Sequence, residues 1–236
     1  MSKAVRDLLV VTCEHGGNRI PAEYAGLFRG WRGILATHRG FDRGALVMAR
    51  ELAAALDAPL VASTVSRLLI DLNRSLGNPR VWSDATRILP PARKQRIIRR
   101  HYAPYRERVT EIVAEAVTAG RRVVHVSSHS FTPVFDGHVR NADVGLLYDP
   151  ARPGEVVMAA RWKAAFADLP SAFRVRRNYP YAGKNDGLTC SLRRRFPPGQ
   201  YVGMEIEFNQ ALVRAQARSW RRLRAAVVTT LQAALG

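Results

Sequence analysis

Cysteine is scarce in this chain of 236 residues: only Cys13 and Cys190 occur, and there is no CxxC pair. Two thiols cannot build a disulfide framework, and without CxxC the common structural zinc modules are excluded. Long apolar runs are also missing. No window approaches the ~18 uninterrupted apolar residues that a membrane span needs. Residues 1–7 lead into only about six apolar residues, too few for a secretory signal core. A cytoplasmic protein with no membrane partner is therefore expected. Repeats, low-complexity tracts and shifts of composition are absent as well, so one domain over residues 1–236 is the simplest organisation. A hydrophobic content of 47% gives that length enough apolar material for a real core.

Acidic residues are few: 19 against 37 basic ones, which leaves a net charge of +18. Such an excess attracts polyanions without any specific contact. Yet Lys3, Lys94, Lys163 and Lys184 are the only lysines, and the arginines form no tail. They cluster modestly at 93–108, 174–177, 193–195 and 214–224, where solvated helix and loop surfaces are expected. Charge of this kind specifies no groove, register or base contact. A basic nucleic-acid-binding protein without catalysis is thus the alternative from a different functional class, and nucleic acid is not the expected partner.

What is present alternates strands with helices. Leu8–Cys13 reads as a buried strand, followed by helical periodicity over 44–56 and short strands over 60–65 and 68–72. Residues 77–91, with three prolines, read as an irregular loop. Apolar positions recur at three- and four-residue spacing from 92 to 119, and Pro104 is expected to kink or split that helix. The clearest buried strand runs from 122 to 127, with His129 just beyond it. Further strands are expected over 144–148, 173–176 and 201–208, with helices over 156–167 and 215–235. The pattern implies an α/β sheet covered by helices on both faces, with a site built from polar side chains at strand carboxyl ends.

Several residues there can carry chemistry. His15 and His129 follow apolar strands, where a metal ligand and a hydrogen-bonded structural histidine are both open readings. His38 and Asp42 are four apart, the spacing of one helical face, and Asp42 precedes a helix where it can either cap or ligate. Glu205 and Glu207 alternate with Met204, Ile206 and Phe208, which puts both acids on one strand face. That strand is expected to be internal, and buried carboxylates need partners or a function. Arg67, Asp71, Asn73 and Arg74 supply guanidinium forks and an amide suited to carboxylate recognition.

Six segments taken together carry a resemblance: EHGGN at 14–18, THRGFDRGA at 37–45, SRLLIDLNRS at 66–75, HVSSHSFTPVFDGHVRNADVGLLYD at 125–149, NYPYAGKNDGLT at 178–189 and EIEFNQAL at 205–212. In this order they resemble the N-formylglutamate amidohydrolase family, itself similar to zinc carboxypeptidases and to the succinylglutamate desuccinylase and aspartoacylase group. The resemblance implies a three-layer, mixed but mostly parallel sheet of the zinc-carboxypeptidase type. It also implies a Zn²⁺-dependent hydrolase that removes an acyl group, most simply formyl, from a small anionic N-acyl amino acid. A zinc peptidase or cell-wall amidase using the same site is the alternative among enzymes.

Carried over position by position, His15 and His129 match histidine ligands of the zinc, and Glu207 in EFNQ matches the general base, with Glu205 the competing choice. Asn73 and Arg74 match the pair that grips the substrate carboxylate. Arg67 is implied as a helper at the carboxylate or the developing oxyanion, and Arg140 as a partner for an acidic substrate side chain. The HxxE pattern of relatives is broken here, since Asn18 stands where the carboxylate ligand belongs. Asp42 is expected to replace it as the third ligand, ahead of Asn18 and Cys13. Tyr179 and Tyr181, near Gly183, are expected either to line a closing loop or to serve packing.

Overall fold

A computed structural model describes residues 7–170, 172–213 and 218–236. In chain order the elements are β1 (Leu8–Cys13), α1 (Arg32–Leu35), α2 (Ala45–Ala55), β2 (Leu60–Ala62), α3 (Pro91–Ile97), α4 (Ala103–Thr118), β3 (Val123–Phe131), β4 (Val134–Phe135), β5 (His138–Val139), β6 (Val144–Leu147), α5 (Pro153–Ala167), β7 (Val175–Arg177), α6 (Leu188–Arg195), β8 (Tyr201–Asn209) and α7 (Arg218–Leu235). Six strands form one sheet in the order β2-β1-β3-β8-β6-β7, and β4 and β5 make a separate hairpin. From β2 to β8 all neighbours are parallel, whereas β6 runs antiparallel to β8 and takes β7 along with it.

Period-two alternation divides each central strand between two cores. Leu9, Val11 and Cys13 of β1, Val124 and Val126 of β3, and Met204, Ile206 and Phe208 of β8 pack with α2, α5 and α7. Val10, Val123 and Tyr201 face the opposite core, which includes α4, α6, Ile97 and the turns of residues 68–72. Helices therefore cover both faces of a mixed, mostly parallel sheet, as the alternation of elements implied.

The differences from expectation have local causes. Residues 68–72 form turns rather than a strand. Their apolar side chains Leu68, Leu69, Ile70 and Leu72 are buried against α4 and its surroundings, so the apolar run signals burial and not extension. The helix pattern of 92–119 does split, through a wider π-type turn over Ile98–Tyr102. Pro104, in the first turn of α4, lacks an N–H and crowds the carbonyl four residues earlier, which that turn accommodates. One consequence reaches the site, because Tyr102 donates its hydroxyl to the Arg74 carbonyl at 2.8 Å.

Strand β3 runs to Phe131, so His129 lies inside the strand and not beyond its end. The polar run SSHS stays extended because Ser128 and Ser130 donate to the Ala45 and Arg43 carbonyls at 3.0 and 2.9 Å. Helix α6 carries no clear helical signal in the sequence, because its Arg193 to Arg195 run masks two buried leucines, Leu188 and Leu192. The expected final helix is present from Arg218, and positions 215–217 lie outside the described residues.

Candidate metal centre

The loops and strand ends of β1, β3 and β8 converge on one cleft. Strands β3 and β8 are in register with His129 opposite Glu207 and Ser127 opposite Glu205. His15, two residues past β1, is tied to the segment before α2 by the Asp42 amide, which donates to the His15 carbonyl at 2.9 Å. Gly44, at the helix N-cap, takes φ +86°, where a side chain would also collide with Val213 and Trp220. With that glycine at the cap position and no side-chain cap bond, Asp42 is not the cap of α2. Residues 36–44 form turns, so the His38 to Asp42 spacing does not reflect a helical face.

Asp42 faces two imidazoles instead. Its Oδ2 lies 2.8 Å from His129 Nδ1 and 3.3 Å from His15 Nδ1. Ligand atoms of His15, Asp42 and His129 all fall within 4.8 Å of one another, and all three residues are buried. Among the described residues this is the one such His/Cys/Asp/Glu cluster. The other ring nitrogens are engaged as well. His15 Nε2 donates to Asp71 Oδ1 at 2.7 Å, and His129 Nε2 lies 3.0 Å from Glu14 Oε2 and 2.9 Å from Ser127 Oγ. Two imidazoles and one carboxylate, with each remote ring nitrogen on a further carboxylate, form a donor set that fits a divalent metal such as zinc.

The alternative third ligands lie elsewhere. Asn18 is exposed, and its amide donates to the Leu35 carbonyl at 3.1 Å. Cys13 is packed in the apolar core, where burial, reinforced by the Glu14 and Asp42 charges, pushes its thiol well above the usual range. A protonated thiol is a poor ligand.

Electrostatics around the cluster are strongly polarised. Burial disfavours the charged forms of Glu14, Asp42 and Asp71, but the histidines outweigh burial at Glu14 and Asp42, and Arg67 together with His15 does so at Asp71. All three carboxyls are held below the usual range. Arg67 does not stand free in the cleft: Nε and Nη2 donate to Asp71 Oδ2 at 3.1 and 2.6 Å, and Nη1 sits 3.5 Å from Asp42 Oδ1. Glu14, and the use of Asp71 as the partner of His15, escaped the sequence reading. Both contacts join residues distant in the chain, and only the EHG and DLNR context hinted at them.

Glu207 behaves unlike the other acids. Its Oε2 is buried without a hydrogen-bond partner. Burial, with the Asp42 and Glu205 charges adding to it and His129 and Arg67 opposing, pushes its pKa up to about 8. Glu205, two residues earlier on the same face, accepts a hydrogen bond from Thr189 Oγ1 at 2.7 Å.

The cleft has a volume of about 790 Å³. Asn73 and Arg74 line it and are fixed from behind: Asn73 Oδ1 accepts from the Leu188 amide at 2.7 Å, and Arg74 donates to the Asp186 carbonyl at 2.6 Å. Gly187 makes this approach possible, since a Cβ there would meet Asn73 Oδ1 at 2.9 Å. Arg140 enters from the β4–β5 side among the rings of Phe135, Tyr181 and Phe131, 4.5, 5.1 and 5.9 Å from its guanidinium carbon. Tyr181 lines the cleft, whereas the Tyr179 hydroxyl accepts from the Asn141 amide, with its ring against Phe131 and Arg176.

The sequence model of the N-formylglutamate amidohydrolase family matches residues 8–214. No curated protein matches the chain by sequence. Among solved structures, gene product Atu2144 from Agrobacterium tumefaciens is similar over 96% of this chain and 90% of its own, with 31% identity and a TM-score of 0.83. An N-formylglutamate amidohydrolase from Ralstonia eutropha JMP134 shares the fold over 98% of this chain and 94% of its own, with 21% identity and a TM-score of 0.70. From its match along most of its length, the chain belongs to the N-formylglutamate amidohydrolase family.

Proposed function

We propose that the protein removes the acyl group, formyl foremost, from a small anionic N-acyl amino acid such as N-formyl-L-glutamate, giving formate and glutamate. The proposal includes a zinc ion held by His15, Asp42 and His129. The observation that carries it is the orphaned Oε2 of Glu207, buried in the same cleft as a three-ligand cluster. A buried carboxyl oxygen with no protein partner is costly, and one that lines a cleft is free to exchange a proton with a reactant there.

Bound there, zinc supplies Lewis-acid polarisation of an acyl carbonyl and a more acidic water. The remaining work falls to the chain. Glu207 takes a proton from the attacking water at Oε2 and returns it to the leaving nitrogen. Its raised basicity suits the first transfer, and a nearby cation favours its ionised form. Arg74 and Asn73, held rigid by Asp186 and Leu188, receive the substrate α-carboxylate. Arg140, framed by three rings, faces an acidic substrate side chain. Arg67, neutralised in part by Asp71, presents Nη1 near Asp42 and the oxyanion that develops during attack.

The test is direct. Purified protein is stripped with a chelator, supplied with zinc, and assayed for formate release from N-formyl-L-glutamate. Restored release supports the proposal, and no release from any N-acyl amino acid in either state ends it.

A further inference from the structure

We propose that Glu14 is a positioning residue for His129, holding the imidazole so that Nε2 carries the proton and Nδ1 is left to ligate the metal. The inference rests on the zinc reading above and adds to it a residue outside the ligand set.

Three groups contend for His129 Nε2. Glu14 Oε2 at 3.0 Å requires a proton on it, and so does Ser127 Oγ at 2.9 Å, because the Ser127 hydroxyl is itself given to Glu14 Oε2 at 2.5 Å. Asn73 Nδ2, at 3.3 Å, requires a lone pair there, since Asn73 Oδ1 is already committed to the Leu188 amide. The carboxylate is nearer and carries full charge, so it outweighs the amide. Nε2 therefore keeps its proton toward Glu14, outside the ligand set, whereas any proton on Nδ1 faces Asp42 Oδ2 at 2.8 Å, inside that set, and is the one a metal would displace.

Glu14 is placed for this by strand geometry. Alternation along β1 puts Val10 on the sheet face opposite the Leu9, Val11 and Cys13 core, and Thr12 and Glu14 continue that face. There the Tyr105 hydroxyl from α4 lies 2.9 Å from Glu14 Oε1 and 3.1 Å from the Val61 carbonyl, and the carboxylate is the nearer acceptor of its proton. Glu14 is completely buried. An ionised carboxylate in such a place, with hydroxyls and one imidazole as partners, exerts its charge mainly on that imidazole. His15 has a weaker version of the same support, because the charge of Asp71 is shared with the Arg67 fork. Carboxylates in this outer position orient ligating histidines and raise their basicity, and losing one typically weakens metal binding ~10–100-fold.

The measurement is zinc affinity of the full chain by competition with a chromophoric chelator, paired with the visible absorption bands of the cobalt(II)-substituted protein. Wild type should bind one equivalent. Glu14→Gln should still take one equivalent at saturation, with affinity lowered ~10–100-fold and the cobalt bands shifted. Tyr105→Phe, which loosens Glu14 but keeps its charge, should weaken binding in the same direction by less. A folded Glu14→Gln protein with wild-type affinity and unshifted bands overturns the role of Glu14 while leaving the zinc site intact. If Glu14→Gln does not fold, the double variant Tyr105→Phe/Ser127→Ala decides, and wild-type affinity with unshifted bands there overturns the proposal. Absence of zinc binding in the wild type overturns both this inference and the reading beneath it.

Discussion

At the scale of single residues, the site depends on which polar groups are satisfied and which are not. Glu205 has Thr189, and Asp42, Asp71 and Glu14 each have cationic or imidazole partners, while Glu207 Oε2 has none. Glu207→Gln should therefore leave metal content and melting temperature near wild type while formate release falls by roughly 10²–10⁴, the usual worth of a general base. A variant retaining more than a tenth of wild-type turnover would transfer the base role away from this residue. The histidines and the paired acids were legible in the sequence because strand alternation and motif order mark them. The choice between Glu205 and Glu207 was open there, since only a packed structure shows which carboxylate has a partner. The role of Glu14 is hinted at only by its place in EHGGN, since its contacts are with Tyr105, Ser127 and His129, all distant in the chain.

At the scale of elements, β1, β3 and β8 share a polar stripe that runs inward from the cleft. His125 lies on it, fully buried, between the Thr12 hydroxyl at 2.8 Å and the Tyr201 hydroxyl at 2.6 Å. Burial pushes its pKa down to about 4; Glu14 opposes the shift, and Arg193 and His129 add to it. His125 is neutral when folded and takes a proton more readily when unfolded, near pH 6.5. Its contribution to stability is then fully present above about pH 6.5 and is lost as pH falls toward about 4, a difference of about 3 kcal/mol. Urea unfolding across that range should show the loss in wild type and a flatter dependence in His125→Gln. Equal slopes in the two proteins would contradict it. Element boundaries were legible where the strand pattern was clean, as in β1 and β8. They were not legible where burial came without periodicity in residues 68–72, where serines extend β3, or where the arginines of α6 mask a short apolar side.

At the scale of the whole molecule, the +18 charge first suggested a polyanion partner. Several arginines have defined partners instead: Arg193 lies against Glu155 and the Gly183 and Gly203 carbonyls, Arg152 against three further carbonyls, and Arg67 against Asp71. The remaining positive field favours approach of an anionic substrate and is screened by salt beyond ~8–10 Å. Raising ionic strength should accordingly lower kcat/KM for N-formyl-L-glutamate through KM, with kcat unchanged; a KM insensitive to salt would show that the surplus charge does no steering. No helix among the described residues is long and apolar enough to cross a membrane. Every role proposed for the cleft requires the cluster of His15, Asp42 and His129 to be a metal site. The most direct test of that site is a zinc titration of chelator-treated protein, followed by metal analysis after desalting. One zinc per chain should be retained by wild type and lost from Asp42→Ala, whereas retention of the same zinc content by Asp42→Ala would contradict it.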